Sequence, residues 1–141
     1  MERSCKVHKM IADVAILAGG RILLVKYDDV GRYDGQKGWF LPDDFLEYAE
    51  HPDDAAKRVA SEQVGLSLPK LTLNHIQSFG NGAWHLAFHY AARLRAPRKV
   101  VPGKNVAAFE WFDLKRLPDA SEVAHHGWGL DVIGRITRRG R

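Results

Sequence analysis

Leu41-Pro42-Asp43-Asp44-Phe45-Leu46-Glu47-Tyr48-Ala49-Glu50-His51-Pro52-Asp53-Asp54-Ala55-Ala56-Lys57-Arg58-Val59-Ala60-Ser61-Glu62-Gln63-Val64-Gly65-Leu66 contains the clearest helix in the chain. His51 stands at the N-cap position and Pro52 at the first helical position, where a missing N–H costs nothing. Asp53 and Asp54 put negative charge in the first turn, where the helix dipole favours it. Ala55 to Val64 holds no breaker, and Gly65 stops the helix at its C-terminal end.

Strand signals lie on both sides of this helix. Upstream, His8 to Leu17 alternates loosely and is rich in Val, Ile and Ala. Gly19-Gly20 follows, then the apolar run Arg21 to Tyr27, and two such runs around a glycine pair predict a hairpin. Asp28 to Lys37 is a polar loop, and Gly38 to Pro42 is a short apolar segment stopped by proline. Downstream, Leu71 to Phe79, Trp84 to Leu94 and Phe109 to Phe112 are strand candidates, the first two joined by a tight turn at Asn81-Gly82. Pro97 to Lys104 is a basic loop. Apolar residues at Trp128, Leu130, Val132, Ile133 and Ile136 predict a second helix over Trp128 to Thr137. The order of hairpin, strand, helix, strands and helix predicts an α+β fold with mixed sheets.

A length of 141 residues predicts a single domain over residues 1–141. A composition 45% hydrophobic and 27% charged excludes a disordered chain. The lone cysteine, Cys5, excludes a disulfide framework and a Cys-rich zinc site, fits a reducing compartment, and has no partner nearby in sequence to activate it. The best apolar run, Val14 to Ala18, is far too short to span a bilayer, and the N-terminus lacks a signal-peptide layout. A soluble, cytoplasmic, intact chain is therefore expected. The formal charge is +4 and the pI about 9.3. Arg135, Arg138, Arg139 and Arg141 match that excess; we read them as a solvated helix C-terminus in preference to a phosphate-binding patch. Nucleic acid is not an expected partner, because no aromatics interleave with the cations.

The stretch 41–66 resembles the Nudix box, G-x5-E-x7-R-E-U-x-E-E-x-G-U, where U is a bulky aliphatic residue. Its spacing falls on Asp44, Glu50, Arg58, Val59, Ala60, Glu62, Gln63, Gly65 and Leu66. The lead-in Trp39-x-Leu41-Pro42, the early hairpin, Glu110-Trp111-Phe112 and Leu117-Pro118 extend the resemblance over roughly residues 8–118. It implies the Nudix fold, an α/β/α sandwich of mixed β-sheets between helices.

The resemblance also implies a chemistry. In active members three glutamates at i, i+3 and i+4 share one helical face and hold Mg²⁺ or Mn²⁺ against a pyrophosphate. Here those positions read Val59, Glu62 and Gln63, so only Glu62 keeps a carboxylate as catalytic and metal-ligating candidate. Gln63 offers a neutral, weaker oxygen. A further family glutamate aligns with Asn105. Asp43 and Asp44 replace the glycine pair of the box, one of whose backbone carbonyls faces the metal in the family. They supply substitute metal ligands from the loop side, or they hydrogen-bond their own backbone in a turn. Glu50 and Arg58 match the pair that ties loop to helix in the family, and Gly65 keeps the helix stop.

Other residues carry weaker signals. Lys26 and Tyr27 end a strand that borders the substrate pocket in the family: Lys26 meets a phosphate and Tyr27 stacks on a base, or both are ordinary strand-end residues. His85 and His89 share one strand face, too far apart for one metal ion, and His85 is a substrate-binding candidate on a face partly lined by polar groups. His125-His126 before Gly127 reads as a loop or helix cap. Trp39, Trp84, Trp111 and Trp128 read as packing aromatics.

Two functions follow from the resemblance. One is a divergent Nudix hydrolase that uses Mg²⁺ or Mn²⁺ to cleave a pyrophosphate in a nucleoside diphosphate derivative. The other is a catalytically impaired Nudix-fold module, with no metal, that binds a nucleotide or a protein partner. A nucleotide-derived small molecule is the expected ligand, no membrane contact is expected, and the exposed strands permit a homodimer. On the lost-site account, restoring glutamate at Val59 and Gln63 recreates activity.

Overall fold

The chain folds back on itself at Gly19-Gly20 between β1 (His8–Ala18) and β2 (Arg21–Tyr27), where the glycine pair predicts a hairpin. The structure, a computed structural model, describes residues 8–138. Cys5, Arg139 and Arg141 lie outside them.

After a 3₁₀ turn at Gly31–Tyr33 come β3 (Asp43–Phe45), α1 (Pro52–Val64), β4 (Thr72–Asn81), β5 (Ala83–Leu94), β6 (Val106–Asp113), a 3₁₀ turn at Ala120–Glu122 and α2 (Ala124–Arg138). The six strands form one mixed sheet in the order β4-β5-β1-β2-β6, with β3 added to β1. β1 and β5 run parallel in unbroken register from His8↔Trp84 to Ala18↔Leu94, and the other pairs are antiparallel.

Helices cover both faces. Ala12, Val14 and Ile16 of β1 join Leu23, Val25 and Tyr90 against Ala55, Ala56, Val59, Ala60 and Val64 of α1. Ala15 and Leu17 point the other way, with Ile22, Leu24 and Ala91, against Val132, Ile133 and Ile136 of α2. Burial on both faces explains why β1 reads as a near-continuous apolar run and not as a clean alternation. The result is the expected α/β/α sandwich. No helix among the described residues is long and apolar enough to cross a membrane.

Two local readings change. Asp43 and Asp44 do not lie in a turn. They pair with Asp13 and Ala12 as strand β3, although Asp44 Oδ1 does accept the Phe45 N–H at 2.8 Å. Aspartate is poor in strands, and here tertiary pairing overrides that preference. Second, α2 opens with His125, His126 and Gly127 in the left-handed region, so regular helix begins at Trp128. A Cβ on Gly127 would stand 2.7 Å from that of Ala120, which requires glycine there.

Candidate functional site

Helix α1 is built as its sequence predicts. His51 caps it by accepting the Asp53 N–H at 3.0 Å. Gly65 ends it at φ +68°, with its N–H on Ser61 O and that of Leu66 on Ala60 O. A Cβ at Gly65 would lie 2.9 Å from Val101 Cβ. Gly65→Ala is therefore expected to cost about 1–2 kcal/mol in urea denaturation, with the midpoint falling at unchanged m.

The helix presents Arg58 to the loop before it. Its guanidinium forks onto Glu50, Nε to Oε2 at 2.9 Å and Nη2 to Oε1 at 3.0 Å, and Nη2 also reaches Phe45 O at 2.9 Å. Nη1 donates to Asp44 at 3.2 Å and to Glu62 at 3.4 Å. The bidentate bond holds the Glu50 carboxyl below the usual glutamate range and raises Arg58. Glu50, Arg58, Asp44 and Glu62 thus come together, with Arg58 as the cation between the last two.

One turn on, the face that points to the sheet is neutral. Val59 is 1% exposed and shares a cluster with Tyr27 and Tyr33. Gln63 closes a ring of hydrogen bonds. The Asp43 N–H donates to Tyr27 Oη at 3.1 Å, Tyr27 donates to Gln63 Oε1 at 2.7 Å, and Gln63 Nε2 donates to Asp43 O at 2.7 Å. The Asp43 amide can only donate and its carbonyl only accept, so the direction of the ring and the orientation of the Gln63 amide follow. Tyr33 adds a bond to the same carbonyl at 3.3 Å and stacks on Tyr27, with ring centroids 4.0 Å apart. Burial, reinforced by Asp43, pushes the Tyr27 hydroxyl well above its ordinary range, so it stays protonated and can donate.

A cleft opens beside this ring. Lys9 and Ile11 of β1, Tyr33, Asp34, Asp43 to Phe45, His85, His125 and Trp128 line it. A neck runs on past Asp13, Trp39 and Phe40. Two of its residues, Asp34 and His125, hold positive φ. Such strain persists where the surroundings over-determine it, and it gathers at functional sites. Burial lowers the His125 imidazole, keeping it neutral near pH 7. Lys9 reaches Asp34 at 3.4 Å across the mouth.

The sequence candidates divide accordingly. Asp43, Asp44 and His85 line the cleft; His85 is stacked flat on Phe79 at 4.9 Å. Glu62 is 65% exposed on α1. Tyr27 is packed inside, stacked on Tyr33 and edge-on to Phe40. Lys26 is exposed and lies over Trp39, 4.7 Å from the ring centroid, beside the neck and not among the residues that line the cleft. Asn105 clasps the loop at Asp29, accepting its N–H at 2.7 Å and donating to its carbonyl at 3.0 Å. His89 is fully buried, with Nδ1 2.8 Å from both Asp13 oxygens and Nε2 2.7 Å from Gln77 Oε1. Lys9, Tyr33, His125 and Trp128, which line the cleft, were not legible as site residues; the His125-His126-Gly127 turn was the one local signal among them.

A family model of the NUDIX domain matches residues 7–129. The chain belongs to the Nudix family. Solved structures agree on the fold. The chain resembles a MutT NUDIX hydrolase from Burkholderia pseudomallei at 23% identity, TM-score 0.74, covering 92% of this chain and 98% of that one. It resembles the NUDIX domain of Shewanella oneidensis NrtR complexed with ADP ribose at 15% identity, TM-score 0.77, covering 99% and 91%. It also resembles the E. coli dihydroneopterin triphosphate pyrophosphohydrolase at 18% identity, TM-score 0.72, covering 94% and 99%. Among curated proteins no sequence matches.

Nudix proteins generally use divalent metal ions. The residues at the Nudix box positions of this chain do not fit one held in the family's way. Val59 brings an aliphatic group where a hard oxygen ligand is needed. The Gln63 oxygen is engaged by Tyr27, and the Asp43 carbonyl by Gln63 and Tyr33. Glu62 and Asp44 already share a cation in Arg58.

Proposed function

We propose that this Nudix protein binds a nucleotide-derived small molecule in the cleft and does not hydrolyse pyrophosphate by the family's metal route. The observation that carries this reading is the Tyr27–Gln63–Asp43 ring, which puts a satisfied, neutral network where metal-binding carboxylates would converge. Trp128, Tyr33 and Phe45 offer apolar surface to a base, while Lys9 and His125 offer polar handles. The solved ADP-ribose complex of the Shewanella domain makes that ligand class the first to try. The lone cysteine and a nucleotide ligand both suit the cytoplasm.

A second reading, divergent hydrolysis, draws on Glu62, exposed and within reach of the same Arg58 nitrogen as Asp44. One experiment separates the two. Nucleotides, dinucleotides and ADP-ribose are titrated into the protein with and without Mg²⁺ and Mn²⁺, reading heat of binding and phosphate release. Binding without metal-dependent release, weakened in Trp128→Leu, is the expected result. Metal-dependent turnover that disappears in Glu62→Gln overturns the proposal in favour of hydrolysis.

A further inference from the structure

A long run of unbalanced positive charge lies far from the cleft. Residues 93–104 hold five Lys/Arg and no Asp/Glu, more than the whole formal net charge of +4. Their start shapes a groove in which Lys70, Arg93, Arg95 and Arg98 stand around the aliphatic side chains of Leu68 and Leu94. None of these four cations forms an ion pair with a carboxylate among the described residues. Arg93 follows His85, which lines the cleft, by eight residues along β5, or about 26 Å of strand. The groove and the cleft share no lining residue, and a short ligand such as tripolyphosphate in the groove does not reach the cleft.

The backbone beneath the cations is held in place. Leu68 and Val100 are buried, the Val101 N–H donates to Val64 O at 3.0 Å, and that of Gly103 to Gln63 O at 2.9 Å. The groove is therefore supported by the C-terminal turn of α1. Guanidinium forks match phosphate oxygens in pairs. One exposed ion pair contributes little, so affinity here needs several linked anionic groups meeting several cations at once. The groove lining holds no carboxylate to repel such a chain and no aromatic ring on which a nucleic-acid base would stack.

We propose that this groove binds a linear chain of condensed phosphates, through its backbone charge alone and independently of the cleft. The test titrates sodium tripolyphosphate, a longer polyphosphate, inorganic phosphate and an oligothymidylate of matched phosphate count into the protein, over a range of NaCl concentrations. Polyphosphate is expected to bind, more tightly with chain length, and to weaken steeply with salt as counterions are released. Inorganic phosphate is expected to bind far more weakly. Arg93→Gln/Arg95→Gln should lose about tenfold in affinity, and Arg93→Lys/Arg95→Lys should retain most of it, both with unchanged melting temperature. Equal affinity in the glutamine variant overturns the proposal. So does tighter binding of the oligothymidylate, which would make the groove a nucleic-acid surface.

Discussion

Val59→Glu/Gln63→Glu is expected to destabilise the protein by about 5 kcal/mol or more at neutral pH, and not to yield an efficient hydrolase. Restoring the motif's glutamates looks like a gain of function on the sequence alone. Val59, however, is 1% exposed among aromatic and aliphatic neighbours. A glutamate there stays ionised at the full cost of a buried charge, or takes up a proton. Starting from an ordinary carboxyl near pKa 4.3, protonation at pH 7 costs about 3.7 kcal/mol. At residue 63 the exchange removes the Nε2 donor and sets a carboxylate oxygen against Asp43 O, a loss of about 1–3 kcal/mol. Together these approach the whole stability of an ordinary domain. The pH dependence has a definite sign. Both new carboxyls have pKa values raised by folding, so the folded state binds more protons. The variant is nearest to wild type below about pH 4 and loses stability as pH rises toward neutrality. Urea denaturation at pH 4.5 and 7.5, with and without Mn²⁺, tests this. Wild-type stability at pH 7.5, or a large rise in midpoint with Mn²⁺, would show that the ring gives way easily to a metal site.

Legibility in the sequence follows the range of the interactions. Helix α1 was readable to its last residue because its signals are local: the His51 cap, Pro52, the acidic first turn and the Gly65 stop act within a few residues of one another. The β1–β2 turn and the start of regular helix at Trp128 were readable for the same reason. The Glu50–Arg58 fork was implied by the resemblance to the Nudix box, in which the matching pair ties loop to helix. The ring around Gln63 was not. Tyr27, Asp43 and Gln63 belong to three separate elements, and Tyr33, which stacks on Tyr27, comes from a polar loop with no periodicity. Substituting Gln for Glu at residue 63 changes the meaning of a tyrosine 36 positions earlier. The spacing of a motif shows which carboxylates are missing; it does not show what has filled their place.

The pair His89–Asp13 is the other long-range feature, and its disruption is expected to have the largest single-residue effect. Parallel pairing of β1 with β5 sets the two residues directly opposite each other. His89 is 0% and Asp13 2% exposed, and Trp128 lies 5.4 Å from the imidazole. Burial raises the Asp13 carboxyl, and the His89 hydrogen bond and charge oppose that rise. His89→Ala removes the opposition and leaves a carboxylate without its partner in a dry interior, which typically costs about 3–5 kcal/mol. The sign again follows from the raised carboxyl: the variant folds better in acid, where Asp13 is protonated, and loses stability as pH climbs through the elevated folded-state value. Asp13→Leu/His89→Leu removes both polar groups and keeps the volume filled, so it should recover most of the loss. A double-mutant cycle by urea denaturation, with Asp13→Leu and His89→Leu as its single variants, measures the coupling directly. Equal losses in the single and double variants would mean that the ring of His89 matters for packing and its bond to Asp13 does not.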